Sequence, residues 1–278
     1  MEHDAKQLTD LLASRFIQRR DVKAIQKGGA YMPVTATGRP DSERMPWTRA
    51  DLEDHVAGRK SFGHYLVGQD GNCKLFAFDI DLTKWNEKSE RSQPTWLPID
   101  ENGMTVNVEP KPLQPREAWL HPKAPPELRR FLVAQMRGVA ELLATATVDV
   151  LGIPVAVSYS GNKGIHVYGF TGAAPAHDVR GAAMEVMDYT NEFVPMRGKN
   201  FFRPKNDDVR TGYATCEVEV FPKQDDLKGK DLGNLLRLPL GIHAKSGQRA
   251  YFLNLNSNID ELVEADPVAS LEGGNPWQ

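Results

Sequence analysis

An α+β, or mixed α/β, domain is the fold class this sequence predicts, and three observations carry the prediction. The N-terminal part mixes amphipathic helical segments with short extended ones. The strands that follow come largely as apolar pairs joined by glycine turns. Single amphipathic helices separate those pairs. The 278 residues make one large domain or two at roughly 150 residues each, long enough to bury a core without covalent staples.

Residues 4–20, DAKQLTDLLASRFIQRR, place leucine, phenylalanine and isoleucine at helical spacing, which predicts a helix over 5–19. AYMPV (30–34) is short and extended. TRADLEDHVAG (48–58) predicts a second, short helix, with Thr48 as its N-cap and Gly58 as its stop. GHYLVG (63–68) and KLFAFDIDL (74–82) read as strands, and GQDGN between them predicts a hairpin with Asp70-Gly71 at its tip. Residues 84–125 are proline-rich and lack periodic apolar positions, so they read as an insertion, ordered in part by Trp85, Trp96 and Trp119.

PELRRFLVAQMRGVAELLATATV (126–148) is the strongest helical pattern in the chain, with Pro126 suited to its first turn. IPVAVSYS and IHVYGF form two apolar strands around the corner GNKG (161–164). AHDVRGAAMEVMDYTNEF (176–193) is amphipathic and helical, and ATCEVEVF (214–221) alternates as a strand does. Residues 231–243 and RAYFLNL (249–255) add extended structure, and the tail from Asp260 reads as a surface helix followed by the linker-like GGNPWQ.

Composition narrows the function. With 34 basic and 37 acidic residues the net charge is −3, so any nucleic-acid contact has to come from local basic surface. Two cysteines, Cys73 and Cys216, exclude a disulfide framework and a cysteine-rich zinc site and fit a reducing cytoplasm. No apolar run approaches the ~18 residues of a membrane helix, and MEHDAKQ has no signal-peptide shape.

Three segments carry chemistry. In FAFDIDL (76–82), Phe76, Phe78, Ile80 and Leu82 share one strand face, and Ala77, Asp79 and Asp81 share the other. Carboxylates roughly 7 Å apart on one face repel unless a cation lies between them, and such oxygen ligands suit Mg²⁺ or Mn²⁺. The same pair also suits two solvated aspartates on an edge strand. A rival chemistry is the DxDxT pattern of haloacid-dehalogenase-type phosphatases, with Asp79 as nucleophile and Asp81 as acid/base. It requires a parallel sheet and a later acidic cluster, for which Asp207-Asp208 or Asp225-Asp226 are candidates.

In SYSGNKGIHVYGF, Ser160, Lys163 and His166 flank a corner where Gly161 and Gly164 permit close approach, the chemistry of an anion pocket. A plain hairpin with a solvated lysine accounts for the segment equally well. NLLRLPLGIHAKSG adds Arg237, His243 and Lys245, which also fit a basic sheet edge that discourages aggregation. Apart from His166 and His243, the histidines read as surface or cap residues.

Together Asp79-Ile80-Asp81, Ser160-Gly161-Asn162-Lys163-Gly164-Ile165-His166 and Arg237-Leu238-Pro239-Leu240-Gly241-Ile242-His243-Ala244-Lys245-Ser246-Gly247 resemble, in order and spacing, the archaeo-eukaryotic primase superfamily of primase-polymerases. The resemblance covers residues 15–253 and is strongest to the phage, plasmid and CRISPR-associated branch, which shares EVFPKQ-like and GNLLRLPLG-like elements. It implies one catalytic domain over 1–255: an N-terminal α/β part over about 1–65, the insertion over about 84–125, and an RRM-like catalytic part over about 126–255. Residues 256–278 would be a tail or linker.

The implied activity is a DNA primase-polymerase that makes and extends primers from nucleoside triphosphates on a single-stranded DNA template and releases pyrophosphate. Two divalent ions, Mg²⁺ or Mn²⁺, would sit on Asp79, Asp81 and Glu219, with Glu217 as the alternative third ligand on the same strand face and Asp225 a poorer one. Ser160, Asn162, Lys163, Gly164, His166, Arg237, His243 and Lys245 would bind the nucleotide. Asn162 stands where replicative primases are basic, and with two cysteines no structural zinc is expected. RGKNFFRPKNDDVR (197–210) interleaves Arg197, Lys199, Arg203 and Lys205 with Phe201 and Phe202, which suits a template strand, or else a loop with its phenylalanines packed inward. A helicase or accessory domain in the same longer protein fits family habit, and no membrane partner is implied. Two other functions stay open: the phosphatase, and a non-catalytic nucleic-acid-binding replication module.

Overall fold

A computed structural model of the chain describes residues 2–28, 30–83, 115–196, 198, 200–206, 213 and 215–277. In chain order the elements are α1 (Glu2–Phe16), β1 (Ala24–Lys27), β2 (Ala30–Pro33), α2 (Arg49–Val56), β3 (Phe62–Tyr65), β4 (Asn72–Leu82), α3 (Pro115–Leu120), α4 (Pro126–Leu151), β5 (Val155–Tyr159), β6 (Gly164–Pro175), α5 (Ala176–Thr190), β7 (Phe193–Pro195), β8 (Phe201–Pro204), β9 (Cys216–Phe221), β10 (Leu235–Arg237), β11 (Tyr251–Phe252) and α6 (Pro267–Glu272). They build two antiparallel sheets, one ordered β10-β3-β1-β2 and the other β11-β5-β6-β4-β9-β8-β7. The expected α+β class holds.

The larger sheet is organised around β4. It pairs with β6 on one side and β9 on the other, so its inner face (Phe76, Phe78, Ile80, Leu82) is fully buried, with α4 and α5 packed against the sheet. On the face that carries Asp79 and Asp81, Phe16 of α1 packs edge-on against Tyr168 and Phe170 at 5.0 and 5.5 Å. This covers the end of the face remote from the aspartates. Helix α4 starts with Pro126 in its first turn and stops at Gly152, whose φ of 61° is the left-handed conformation of a C-cap. It is long and apolar enough to cross a membrane, which a search for unbroken apolar runs misses, but 61% of its most apolar window is buried inside the fold.

Three expectations need correction. The GQDGN turn forms, with the Gly68 N–H on Asn72 O at 2.8 Å, but it does not close a hairpin. β3 pairs with β1 and β10, whereas β4 pairs with β6 and β9, so the turn carries the chain from one sheet into the other. Every residue of β3 is buried, and covering both its faces requires it to leave β4. Two histidines expected at the surface are interior. His55 accepts from the Phe62 N–H at Nδ1 (3.0 Å) and meets the Pro239 carbonyl at Nε2 (2.8 Å), and burial lowers its pKa to about 4; His64 is likewise fully buried.

The third correction concerns residues 256–278, expected as a tail or linker. Arg137 on α4, fully buried, donates to the carbonyls of Leu255 (3.0 Å), Asn258 (3.1 Å) and Glu261 (2.7 Å) and pairs with Glu141. Arg15 of α1 holds the Leu271 and Glu272 carbonyls, and Leu271 is fully buried. The segment is docked on the domain. Of the expected insertion, residues 84–114 with Trp85 and Trp96 lie outside the described residues; from residue 115 the chain forms α3 and leads into α4. Replacing Arg137 with methionine leaves three carbonyls without their donor, and the buried one of Leu255 by itself sets an expected cost of about 1–3 kcal/mol. Urea denaturation checks it; an unchanged midpoint would mean that the segment is held some other way.

Candidate nucleotidyl-transfer site

Strand register sets the geometry. Asp79 pairs with Glu219 on β9 and with His166 on β6, and Asp81 pairs with Glu217 and Gly164. Directly opposed residues present side chains on one face, so four carboxylates crowd one patch on the outer face of the sheet. Like charges in that position destabilise a sheet. Asp79 and Asp81 are thereby brought beside Glu219, which is far from them in the chain, and Glu217 joins them.

Basic side chains offset the repulsion. His166 Nε2 lies 3.2 Å from Asp79 Oδ1, the Lys163 ammonium sits on Asp81, and the Lys223 ammonium sits on Glu219. Lys223 is also held over the rings of Phe221 and Phe201, at 4.6 and 5.5 Å from their centroids. Burial pushes the Asp79 carboxyl up, but the charge and hydrogen bond of His166, with Lys163 and Lys223 beyond, outweigh it and hold the group below the usual aspartate range. Glu217 and Glu219 go the other way. Burial raises both, and Asp79 raises both further, against the opposing pull of Lys163 on Glu217 and Lys223 on Glu219.

The 161–164 corner closes over this patch. Gly164 has to be glycine, because a Cβ there would lie 2.5 Å from Ile80 O and 2.6 Å from Asp81 Oδ1. Gly161 turns with φ of 76° against the backbone of residues 248–250. The Gly164 N–H reaches Ser160 Oγ at 3.3 Å, and the Asn162 carbonyl accepts from Tyr159 (2.8 Å) and from the Trp119 indole. Ser246 Oγ donates to Gly161 O, while its N–H meets His243 Nδ1 at 3.1 Å, so the HAKSG loop is tied to the corner. Burial lowers the His243 pKa to about 4, with Arg237, Lys245 and Lys163 adding to the effect.

Arg237 belongs to β10 of the small sheet, yet its Nη1 donates to Ser160 O at 2.7 Å across the gap. Its Nε and Nη2 are buried without a hydrogen-bond partner among the described residues, and burial pulls its pKa down against the opposing effect of Tyr31, Tyr168 and Tyr159. Such a guanidinium is short of anionic partners. Lys245 stands exposed on the HAKSG loop.

Of the residues expected to hold a template, Arg203 and Lys205 are described, and they part company. Arg203 is exposed two residues along β8 from Phe201, which pairs with Glu219, so both lie on the carboxylate face. Lys205 turns instead to Asn191, the C-cap of α5. Phe202 packs inward and Phe201 stays 37% exposed, while Arg197 and Lys199 lie outside the described residues.

Two residues escape the motif-based reading. Tyr168 is fully buried; its hydroxyl is 2.8 Å from His166 Nδ1 and 3.3 Å from Ser158 Oγ, and it holds the ring with Nε2 toward Asp79. The i, i+2 spacing of His166 and Tyr168 on one strand carried that signal. Lys223, in the EVFPKQ segment, lies four residues past Glu219, and only the bend after β9 brings it back.

A hard divalent cation fits these side chains in kind, because they are carboxylate oxygens and two of the carboxyls pay for burial with raised pKa values. The arrangement described has ammonium and imidazole groups on them, and no group of three or more His, Cys, Asp or Glu among the described residues is set to hold a metal. The phosphatase alternative fails on topology: β4 lies in an entirely antiparallel sheet, and Asp225-Asp226 follow β9 in a turn, while Asp207-Asp208 lie outside the described residues.

The two antiparallel sheets with their helices are consistent with the archaeo-eukaryotic primase class, a superfamily of primase-like nucleotidyltransferases. The family model for the archaeo-eukaryotic primase domain of the TOTE conflict system matches residues 9–122 and 131–265, and the chain belongs to that family. This is a branch of the mobile-element and defence kind to which the motifs pointed. No curated protein matches the chain.

A pH test follows from Glu217. Its folded pKa is raised, so the native state holds that proton more tightly than the unfolded chain; stability is full below the ordinary glutamate value of 4.5 and falls as pH rises through the folded value. Glu217→Gln is therefore expected to melt a few degrees higher than wild type at pH 7 in chelator, with the gap closing as the pH approaches 4.5. A lower melting point for the variant at pH 7 would show that the Lys163 pairing outweighs the repulsion.

Proposed function

We propose that this chain is a template-dependent primase-polymerase that makes short primers on single-stranded DNA and extends them from nucleoside triphosphates. One observation carries the reading: the corner that Arg237 binds through Ser160 O also places Lys163 on Asp81, so a guanidinium with Nε and Nη2 unpartnered among the described residues and the carboxylate row border the same turn. In the reaction a sugar hydroxyl oxygen forms a bond to the α-phosphorus, the bond to the β-bridging oxygen breaks, and pyrophosphate leaves with its electron pair. Asp79, Asp81 and Glu219, or Glu217 in its place, are the residues that would hold two Mg²⁺ or Mn²⁺ ions; the chemistry such a pair supplies is a lower pKa for the attacking hydroxyl and charge neutralisation on the leaving group.

The remaining work falls to side chains of this protein. Arg237 offers its free Nε and Nη2 protons to phosphate oxygens. Ser160 and the corner backbone add neutral donors. Lys163, pulled below the usual lysine range by burial and drawn up again by Asp79, Glu217 and Glu219, stands between the two charge systems and serves either. His166, fixed by Tyr168, presents Nε2 at the boundary of carboxylates and corner. His243 and Lys245 line the outer side, and Arg203 with Phe201 flank the carboxylates where a template base would stack.

Incubation with single-stranded template, Mn²⁺ or Mg²⁺ and labelled nucleoside triphosphates tests the proposal. New oligonucleotides are expected from wild type, with a loss on the order of 10³-fold or more in Asp79→Ala and Asp81→Ala, as for removal of groups that act only in the transition state. Ser160→Ala and His166→Ala are expected to raise the Michaelis constant for nucleotide with the native fold retained by circular dichroism. Template-independent phosphate release, or full activity in the aspartate variants, would overturn the assignment.

A further inference from the structure

Past the end of β9 the chain builds a second basic feature that the motifs do not include. A groove with a cavity volume of about 370 Å³ is lined by Arg180, Lys223, Lys228 and Lys230, together with Asn200, Gln224, Asp225, Asp226 and Leu227. Four cations thus face two carboxylates. One of the acids is already engaged, since Arg180 lies 3.6 Å from Asp225 while also donating to Asn200 Oδ1 at 2.9 Å. Lys228 and Lys230 are exposed and make no ion pair among the described residues. A tight turn projects them: Lys228 and Gly229 both adopt positive φ, 46° and 72°, and the Lys230 N–H closes the turn on Leu227 O at 2.7 Å. A lysine in the left-handed region is a conformational cost that a glycine or asparagine would avoid.

The groove is continuous with the carboxylate patch. Lys223 lines it, yet its ammonium sits on Glu219. The backbone of Lys223 is fixed from both sides, its N–H on Asn234 Oδ1 at 2.9 Å and its carbonyl receiving Asn200 Nδ2 at 3.2 Å. Next to Lys223 stands the half-exposed ring of Phe201, the neighbour of Glu219 on β8. An open groove with spare positive charge, leading past an exposed aromatic ring to a catalytic patch, matches what a single strand needs: charge along its backbone and a flat surface for an unstacked base.

We propose that this groove binds the phosphodiester backbone of a single-stranded nucleic acid, with Lys228 and Lys230 contacting phosphates and Phe201 stacking a base on the side toward Glu219. Phosphate oxygens entering the groove compete with Glu219 for Lys223, so the strand loosens the ion pair that covers this carboxylate. The inference extends the polymerase reading but is measured without nucleotide or metal, so it stands or falls separately from that activity.

The test is fluorescence anisotropy of a labelled oligothymidylate across a salt series, in chelator. Lys228→Ala/Lys230→Ala is expected to weaken binding on the order of tenfold at low salt and to flatten the slope of log K against log salt by about 1.4, at about 0.7 per single-strand phosphate contact. Phe201→Ala is expected to weaken binding with the slope unchanged, as stacking does and charge does not. A control pair with the same loss of charge, Lys6→Ala/Lys27→Ala on α1 and β1, should leave both quantities near wild type. The proposal is overturned if the groove variant matches wild type, if the control pair flattens the slope equally, or if the groove variant loses affinity for inorganic triphosphate while keeping it for the oligonucleotide.

Discussion

The opposition of Asp79 to Glu219 and of Asp81 to Glu217 across β4 and β9 is the constraint around which the rest of this site is arranged. An antiparallel ladder allows no choice about it: once the apolar residues of both strands face the helices, the four carboxylates must share the other face. Their repulsion is met by His166, Lys163 and Lys223, which arrive from β6, from the corner before it and from the bend after β9. Each of these basic groups also borders a place where an anion is proposed to bind. The fold therefore couples the carboxylates to their surroundings through shared basic groups, and a ligand that takes one exposes an acid.

The second sheet is tied to the corner beside that patch. β10 lies in the small sheet by its backbone, while Arg237 reaches Ser160 in the large one. Beneath it, His55 ties α2 to the Pro239 carbonyl, and Gly241 passes so close that a Cβ would come within 2.2 Å of the imidazole. A neutral, buried histidine is suited to this, since it supplies one donor and one acceptor without a charge to desolvate. The proposed anion cradle is therefore held by interior packing on one side and by strand pairing on the other. Its geometry does not depend on the exposed loops alone.

Much of this was legible in the residues. Alternation in FAFDIDL placed Asp79 and Asp81 together, the glycines of SGNKG marked the corner, and Pro126 announced the longest helix. What misled was equally local. GQDGN has every mark of a hairpin, and a turn sequence does not know which sheet will receive the next strand. GGNPWQ reads as a linker because nothing in it reveals that the Val155 and Leu255 N–H groups, both outside the segment, donate to its Gly274 and Pro276 carbonyls. His55 and His64 looked like surface residues because burial of a histidine depends on what packs above it.

Side-chain alternation, glycine placement and helical spacing are properties of a few consecutive residues, and so the sequence alone determined the strands, the faces of their side chains and the chemistry of each motif. Pairing partners are different, because they depend on which distant strand offers the complementary buried face at the lowest cost. Only the tertiary structure decided that Glu217 and Glu219 stand opposite the aspartates, that Arg237 spans two sheets, and that Lys223 returns to Glu219. Those contacts join residues tens to more than a hundred positions apart, or turn on a bend whose direction no local pattern records.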